Sequence, residues 1–165
     1  MKLEIIKHHD ILFRDLIRAI AIKNIAWPYP IESQVKWIID NMTSCDMHVF
    51  LTDNGKDKAY MTLSPVMGIM NGGKTRFMGV GCVCARERGK GDGGVLMSIV
   101  NDYLISNGLY GLLFCKASLI NFYNNNGWRL LPNDIVSLQP EHEDIFVMVF
   151  NCPEVFRFHY SGRMF

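Results

Sequence analysis

The chain has 165 residues, of which 49% are hydrophobic and 20% are charged. Its 17 basic and 16 acidic residues give a formal net charge of +1, which excludes the basic surface that typifies nucleic-acid-binding proteins. The length predicts one domain over residues 1–165 with a sizeable hydrophobic core, and the apolar content argues against disorder.

No apolar run reaches the roughly 18 residues of a membrane span, and the acidic start Met1–Glu4 is unlike a signal peptide. The five cysteines are an odd number without C-x-x-C spacing, which predicts buried free thiols in a reducing compartment. No second Cys/His pair has metal-ligand spacing. We therefore expect a cytoplasmic protein without a metal, and neither nucleic acid nor a membrane as its partner.

The N-terminal third predicts one strand and two helices. The strand covers Leu3 to Lys7. Asp10 is a suitable N-cap for a helix over Ile11 to Asn24, which the prolines in residues 27–30 end. A second helix begins at Ile31 or Glu32 and ends near Met42. The apolar spacing places these residues on the buried helix faces: Phe13, Leu16, Ile17, Ile20, Val35, Ile38 and Ile39.

Strands separated by turns follow. The predicted strands are His48 to Thr52, Lys58 to Leu63 and Arg76 to Ala85, with turns at residues 53–55 and 71–73. Residues 68–75 match the spacing G-x-x-x-x-G-K-[ST] of a phosphate-binding loop, which needs a helix directly after its lysine. Residues 76–81 contain two glycines and no helical period, so the glycines at 72 and 73 are assigned to a hairpin turn.

The C-terminal half alternates helices and strands. A helix with an apolar face at Leu96, Ile99, Val100, Tyr103 and Leu104 extends to about Ser106. The later predicted elements are a strand over Tyr110 to Cys115, a helix over Ser118 to Asn125, extended segments over Trp128 to Leu131, Ile135 to Leu138 and Ile145 to Phe150, and a last strand within Val155 to Phe165. The order predicts an α/β protein, with helices on both faces of a mixed sheet.

A glycine-dense segment, residues 86–94, joins the strand ending at Ala85 to the helix after it. Glycines permit positive φ, and the free N–H groups of a helix start favour a phosphate. Arg88 and Lys90 add positive charge. The glycines also satisfy G-x-G-x-x-G, but the dinucleotide site needs an acid at the end of the next strand, which ends in Phe114-Cys115-Lys116. We interpret the segment as a phosphate or pyrophosphate site.

Two motifs carry a resemblance to a known family. Arg88 to Gly93 resembles the R/Q-x-x-G-x-G/A motif of the GNAT superfamily of acetyl-CoA-dependent N-acyltransferases, and Leu119 to Trp128 resembles that family's helix ending in (F/L)Y-x-x-x-G-(F/W). The order of elements from Leu3 to Phe150 also fits, and three of them are similar to the aminoglycoside 2′-N-acetyltransferase branch. The resemblance implies a mixed, mostly antiparallel sheet of six or seven strands with a splayed parallel pair.

The resemblance also implies a reaction, in which an acetyl group passes from acetyl-CoA to a primary amine of a small molecule by direct attack through a tetrahedral intermediate. Tyr123 matches the family's general acid for the departing thiolate. The main chain near Gly81 to Val83 would polarise the thioester carbonyl. The residues implied to bind the cofactor are Cys82, Val83 and Cys84 for the pantetheine arm and Arg88, Gly89, Lys90, Gly91, Gly93 and Gly94 for the pyrophosphate.

Several points stay open. The general base is not identifiable. Asp46 and His48 are candidates because they begin a strand near the cleft, but both are expected on the surface. The aromatic tail suggests that the carboxylate of Phe165 lies near the substrate. Asp92 departs from the family's apolar residue; it points outward or is offset by Lys90. Trp27, Tyr29 and His159 are candidates to line the substrate side. A non-catalytic acyl-CoA-binding module of the same fold is the alternative function, and a homodimer is one open oligomeric state.

Overall fold

The computed structural model describes all 165 residues, in nine strands and four helices. The strands are β1 (Lys2–Lys7), β2 (Met47–Asp53), β3 (Lys56–Met70), β4 (Gly73–Ala85), β5 (Tyr110–Cys115), β6 (Arg129–Leu130), β7 (Val136–Leu138), β8 (Phe146–Phe150) and β9 (Phe158–Tyr160). The helices are α1 (Phe13–Ala26), α2 (Ile31–Asn41), α3 (Asp92–Ser106) and α4 (Ile120–Asn125).

The strands form one mixed sheet in the order β1-β2-β3-β4-β5-β8-β6, with β9 paired to β3 and β7 paired to β9. The predicted mixed sheet with a parallel pair is confirmed. The parallel β4–β5 ladder is short and joins Phe77–Gly79 to Tyr110–Leu112. The sheet has more strands than the six or seven that the family resemblance implied. The additional strands β6, β7 and β9 have only two or three residues each, and they lie within segments that the sequence predicted as extended.

The contacts group the chain into two compact units. The first unit comprises residues 1–64, 81–99 and 165, and the second comprises residues 65–80 and 100–164. Each unit is assembled from separated stretches of chain, since β3, β4 and α3 contribute residues to both. The single domain over residues 1–165 stays a prediction.

In the first unit, the face that α1 turns to the core agrees only in part with the prediction. Ile20 is buried as predicted and Leu16 is half-buried, but Phe13 and Ile17 are exposed. Ala19, Ile22 and the charged residue Asp15 are buried instead. The cause is polar: the guanidinium of Arg18 donates to Asp15 Oδ1 at 2.9 Å, to Asp57 Oδ1 at 2.7 Å and to Glu4 Oε2 at 2.9 Å. These ion pairs tie α1 to β1 and β3 and decide which side of the helix faces inward.

The start of α1 and the buried face of α2 also differ from expectation. Asp10 lies in a 3₁₀ turn, and α1 starts after Leu12, which makes no side-chain capping bond. In α2, Ile38 is buried as predicted, but Val35 and Ile39 are exposed. Gln34 takes the inward position, because its side-chain amide donates to the main-chain oxygen of Trp27 at 2.7 Å.

The second unit packs around β5 and β8. Gly111 of β5 faces Phe150 of β8, and a methyl group at Gly111 would meet the ring of Trp128 at 2.6 Å. The indole N–H of Trp128 donates to the Asn101 side-chain oxygen at 3.0 Å. Asn101 in turn donates to the main-chain oxygen of Asn126 at 2.7 Å. These bonds hold the segment that follows α4 in place.

Candidate functional site

The glycine-rich segment forms an open loop at the start of α3. The N–H of Val95 donates to the Gly91 oxygen at 3.0 Å, so the amides before Val95 in the first turn have no partner within the helix. Gly89 and Gly91 have φ of +78° and +84°, and no heavy atom lies within 4 Å of where their Cβ atoms would be. The loop therefore has the conformation and the space to receive an anion.

The charged residues of this loop have different surroundings. Arg88 and Lys90 are exposed. Arg86 is bound to the start of β3: its main-chain N–H donates to the main-chain oxygen of Lys58 at 2.8 Å, and its Nε–H donates to that of Asp57 at 2.9 Å. Asp92 is buried, with 6% of its surface exposed, so the expectation that it points outward is wrong. Its burial keeps the carboxylate out of the solvent around Arg88 and Lys90.

The end of β4 carries an irregularity. Cys82 has a φ of +51°, which departs from extended geometry and is typical of a bulged strand. Val83 is half-buried. Cys84 packs in a buried cluster with Ala19, Ile22, Phe50 and Tyr60, and Cys82 packs against the same cluster, so the two thiols share one face as predicted.

Both thiols are held in the neutral form. Burial raises the pKa of Cys84 to about 12 and also raises the pKa of Cys82. Since a thiolate is the reactive form of cysteine, neither is suited to act as a nucleophile at neutral pH. The cysteines predicted as buried free thiols are all free, but Cys45 is exposed and Cys82 and Cys152 are half-buried.

Tyr123 lies in α4 and is buried, with 6% of its surface exposed. Its ring meets that of Phe122 edge-on, with centroids 5.0 Å apart. Its main-chain oxygen accepts the N–H groups of Asn126 and Trp128, both at 3.0 Å. Gly127, at a φ of +82°, permits this tight end of the helix. The motif from Phe122 to Trp128 thus fixes where the tyrosine lies.

The prediction that Asp46 and His48 lie on the surface is wrong, because both are fully buried. Asp46 closes a turn: its carboxylate accepts the N–H of Thr43 at 2.8 Å, and its main-chain oxygen accepts the N–H of His8 at 2.7 Å. His48 lies between two polar side chains, with its Nδ1 2.7 Å from the Tyr60 hydroxyl and its Nε2 2.9 Å from Nδ1 of His8.

His48 was named from the sequence, but its connection with His8 and Tyr60 was not predicted. The only indication in the sequence is that His48 and Tyr60 are polar residues within apolar strands, at positions that the alternation of side chains places on one face of the sheet. Burial, and the positive charges of His8 and Lys23, lower the pKa of His48 to about 4. Burial also lowers the pKa of His8, so both rings are neutral at pH 7.

Lys23 is a second buried polar group of the first unit. Only 5% of its surface is exposed, and its ammonium lies 3.8 Å from the ring centroid of Trp37. Burial lowers the pKa of Lys23, while the neighbouring Cys82 and Cys84 act in the opposite direction. The aromatic face offsets part of the cost of burying the cation.

The end of the described chain meets β4. A Cβ at Gly81 would stand 2.5 Å from the carbonyl carbon of Phe165 and 2.9 Å from its oxygen. The tail thus reaches the strand that carries Cys82. Of the candidates for the substrate side, Trp27 and Tyr29 are exposed at 36% and 61%, and His159 is half-buried with its Nδ1 3.2 Å from the Ser137 hydroxyl.

The structure brings together no group of three or more His, Cys, Asp or Glu side chains that could hold a metal ion. None of its helices has both the length and the apolar character needed to cross a bilayer.

Solved structures share this arrangement of strands and helices. The ribosomal-protein-S18-alanine N-acetyltransferase of Escherichia coli superposes with a TM-score of 0.63 at 19% identity, over 98% of this chain and 97% of that one. Escherichia coli ElaA gives 0.62 at 18% identity, over 90% and 98%, and Tetrahymena GCN5 gives 0.60 at 15%, over 95% and 97%. The fold is that of the GNAT N-acetyltransferases.

The GNAT fold agrees with the resemblance stated from the two sequence motifs. No protein-family model matches the chain, and a search of curated proteins finds no match. At 15–19% identity the similarity concerns the path of the backbone. The roles of Tyr123 and of the loop residues are therefore part of the proposal that follows.

Proposed function

We propose that this protein is an N-acyltransferase that moves an acetyl group from acetyl-CoA to the primary amine of a small molecule. The observation that carries the proposal is the loop at the start of α3, with Gly89 and Gly91 at positive φ and open space around both, on a GNAT fold. An anion is stabilised by unpaired amides at a helix start.

The loop residues suit the diphosphate of acetyl-CoA. Gly93 and Gly94 in the first turn of α3 leave the main-chain N–H groups accessible to a ligand, and Arg88 and Lys90 supply exposed positive charge. Cys82, Val83 and Cys84 would hold the pantetheine arm through their main-chain groups, in the manner of an added strand. Because Cys84 buries its side chain in the core, its contribution is limited to its main chain.

Acetyl-CoA would supply the activated acyl group, and the protein would supply binding, polarisation and proton transfer. The irregular backbone at Cys82, where φ is +51°, offers main-chain N–H groups for the thioester carbonyl. Tyr123 serves as the acid that protonates the departing thiolate, because a phenol remains protonated at neutral pH.

The experiment has two stages. The first is calorimetric titration of the protein with acetyl-CoA, with ATP and NAD as controls; we expect binding of acetyl-CoA and of neither control. The second measures thiol release from acetyl-CoA with a panel of primary amines. Release with at least one amine supports the enzyme. Binding without release from any amine supports the non-catalytic acyl-CoA-binding module, and the absence of acetyl-CoA binding overturns both.

A further inference from the structure

We propose that the outer sides of α1 and α2, with the loop between them, form the contact surface of a homodimer, so that a second copy of the chain covers them. This surface, the apolar face, consists of exposed side chains. They are Phe13, Ile17, Tyr29, Ile31, Val35 and Ile39. The proposal does not depend on acyl transfer, because it rests on the exposure, spacing and charge surroundings of these side chains.

Part of the apolar pattern of both helices stays in water in the single chain. Phe13 and Ile17 of α1 have the spacing of buried helix positions, but they are exposed at 78% and 40%. The same holds for Val35 and Ile39 of α2, at 41% and 71%. Residues four apart are neighbours on a helix surface, so each helix presents an exposed apolar row. A second copy would bury the part of the pattern that one chain leaves exposed.

Two grooves join the two rows into one surface. The first groove is lined by Ile17, Tyr29 and Ile31, so it runs from α1 past the loop to the start of α2. The second runs along α2 and is lined by Ile31, Val35 and Ile39. Because Ile31 lines both grooves, the apolar side chains are contiguous. Single exposed apolar residues are ordinary, whereas a large contiguous patch marks an interaction surface.

The groove along α2 has the shape that a second helix needs. Its walls are the apolar row and a charged row of the same spacing, Glu32, Lys36 and Asp40. Rows of residues four apart form the ridges that enter the grooves of a facing helix in the commonest class of helix packing. The apolar row has an isoleucine at each end and the smaller Val35 in the middle. A two-fold axis beside Val35 would place Ile31 of one copy against Ile39 of the other, which is the self-complementarity of a symmetric dimer.

The area of the apolar face matches that of a dimer interface. Phe13 and Tyr29 expose 78% and 61% of their surfaces, which is roughly 250–300 Å² together, since an aromatic residue has about 200 Å². The four aliphatic members are exposed at 40–71% and bring the total to roughly 600 Å², the upper limit of the patches that monomers expose. With the charged row at its rim, the face approaches the area of about 800 Å² that each partner contributes to a standard interface.

The charges at the rim favour a second copy over a lipid surface. Helices that lie on membranes carry mostly Lys and Arg beside their apolar side. The row beside this apolar face contains two acids and one base, and Lys36 is paired with Asp40 at 2.7 Å. The net charge of the chain is only +1, so two copies approach each other without strong repulsion. An apolar centre with a charged rim is the usual arrangement of a dimer interface.

The first test is the mass of the protein in solution, measured by sedimentation equilibrium up to about 100 μM. We expect the wild type to reach twice the monomer mass of 18.9 kDa. Ile31→Glu places a charge where the two grooves meet and should weaken the dimer about 100-fold or more. Ile105→Glu is the matched control, because Ile105 lies on α3 outside the apolar face and both isoleucines are exposed at 54%. It should dimerise like the wild type.

A second test locates the contact by cross-linking. Cys45 is the exposed thiol of the chain, so Cys45→Ser provides the background for added cysteines. A residue beside a two-fold axis lies close to its own copy. We therefore expect a short bifunctional maleimide to join two chains that carry Val35→Cys. Chains that carry Ile105→Cys, and chains with Cys45→Ser alone, should stay unlinked.

Three outcomes would overturn the proposal. One is a wild type that stays monomeric at about 100 μM. Another is a dimer that Ile31→Glu leaves as tight as the wild type, because a different surface would then hold it. The third is a monomer that binds vesicles of anionic lipid through the apolar face, which would assign the face to a membrane. If Ile31→Glu does not fold, the cross-link through Val35→Cys decides: two joined chains support the dimer, and unlinked chains overturn it.

Discussion

The main chain of Phe165 leaves no room for a side chain at Gly81. A Cβ there would stand 2.5 Å from the Phe165 carbonyl carbon and 3.0 Å from the Thr62 hydroxyl oxygen. We predict that Gly81→Ala lowers the unfolding free energy by about 1–3 kcal/mol through overpacking, measured by urea denaturation. Deletion of Met164 and Phe165 should restore most of this loss in the double variant. If the substitution costs as much in the shortened chain, the tail is not what Gly81 accommodates.

The loop glycines give a test of cofactor binding. Gly91→Ala forces alanine to a φ of +84°, which costs about 1–2 kcal/mol and reshapes the loop. Gly108→Ala is the matched control, because Gly108 has a φ of +61° with open space around it in the turn after α3. We expect similar stability losses in both variants, but a loss of acetyl-CoA affinity of about tenfold or more only in Gly91→Ala. Equal affinities by calorimetry would contradict the assignment of the loop.

Tyr123→Phe removes the proposed acid and keeps the ring that packs on Phe122. We expect kcat to fall about 10²-fold with little change in the Kd for acetyl-CoA, because the hydroxyl acts on the leaving thiolate. Tyr110→Phe, which changes a half-buried tyrosine of β5, is the control. Turnover unchanged by the Tyr123 substitution would remove this residue from the mechanism.

The lowered pKa of His48 predicts that the folded protein loses stability in acid. Its pKa is about 4 in the folded protein against 6.5 in the unfolded chain, so the unfolded state binds the proton more readily. The stability from neutral His48 is complete above pH 6.5 and decreases as the pH falls from 6.5 toward 4, by about 3 kcal/mol in all. His8, whose pKa is also lowered, acts in the same direction.

Urea unfolding at pH 7.5, 6.0 and 5.0 measures this slope, and His48→Gln should flatten it. The slope is the informative quantity, because the substitution also changes the stability at pH 7.5. An equal slope in the variant would assign the acid sensitivity to other groups.

Arg18 pairs with the buried carboxylate of Asp15 and the half-buried carboxylate of Asp57. It pairs with Asp15 and Asp57 at 2.9 and 2.7 Å and lies 4.2 Å from the ring centroid of Phe50. We predict that Arg18→Met lowers the unfolding free energy by about 2–4 kcal/mol, since it removes the 2.9 Å partner of the buried Asp15 carboxylate. Arg14→Met removes an exposed arginine 3.8 Å from the same carboxylate and should cost less than about 1 kcal/mol. Comparable losses of stability in the two variants, measured by thermal unfolding, would contradict this prediction.

Local patterns predicted most of the strands and helices. β5 spans Tyr110–Cys115, as its apolar run indicated, and the turns at Asn54-Gly55 and Asn71-Gly72 have the positive φ that their residue types favour. α4 ends at Asn125, as predicted, two residues before the glycine of the motif. These features depend on a few neighbouring residues, so they are visible in the sequence.

The faces of α1 and α2 were predicted less well, for a physical reason. Apolar spacing assumes that burial follows hydrophobicity, but a paired charge or a bonded amide is also stable inside a protein. Asp15 and Gln34 are buried because their partners, Arg18 and the Trp27 oxygen, come into position only when the chain folds.

By itself, the sequence determined the order of strands and helices, the glycine loop before α3 and the motif that contains Tyr123, since each is encoded by residues close together in the chain. Only the tertiary structure decided that His8, His48 and Tyr60 meet, that Asp92 is buried and that Phe165 reaches Gly81. Those contacts join residues from distant stretches of chain, and their spacing in space follows from strand pairing and helix packing, which no local pattern contains.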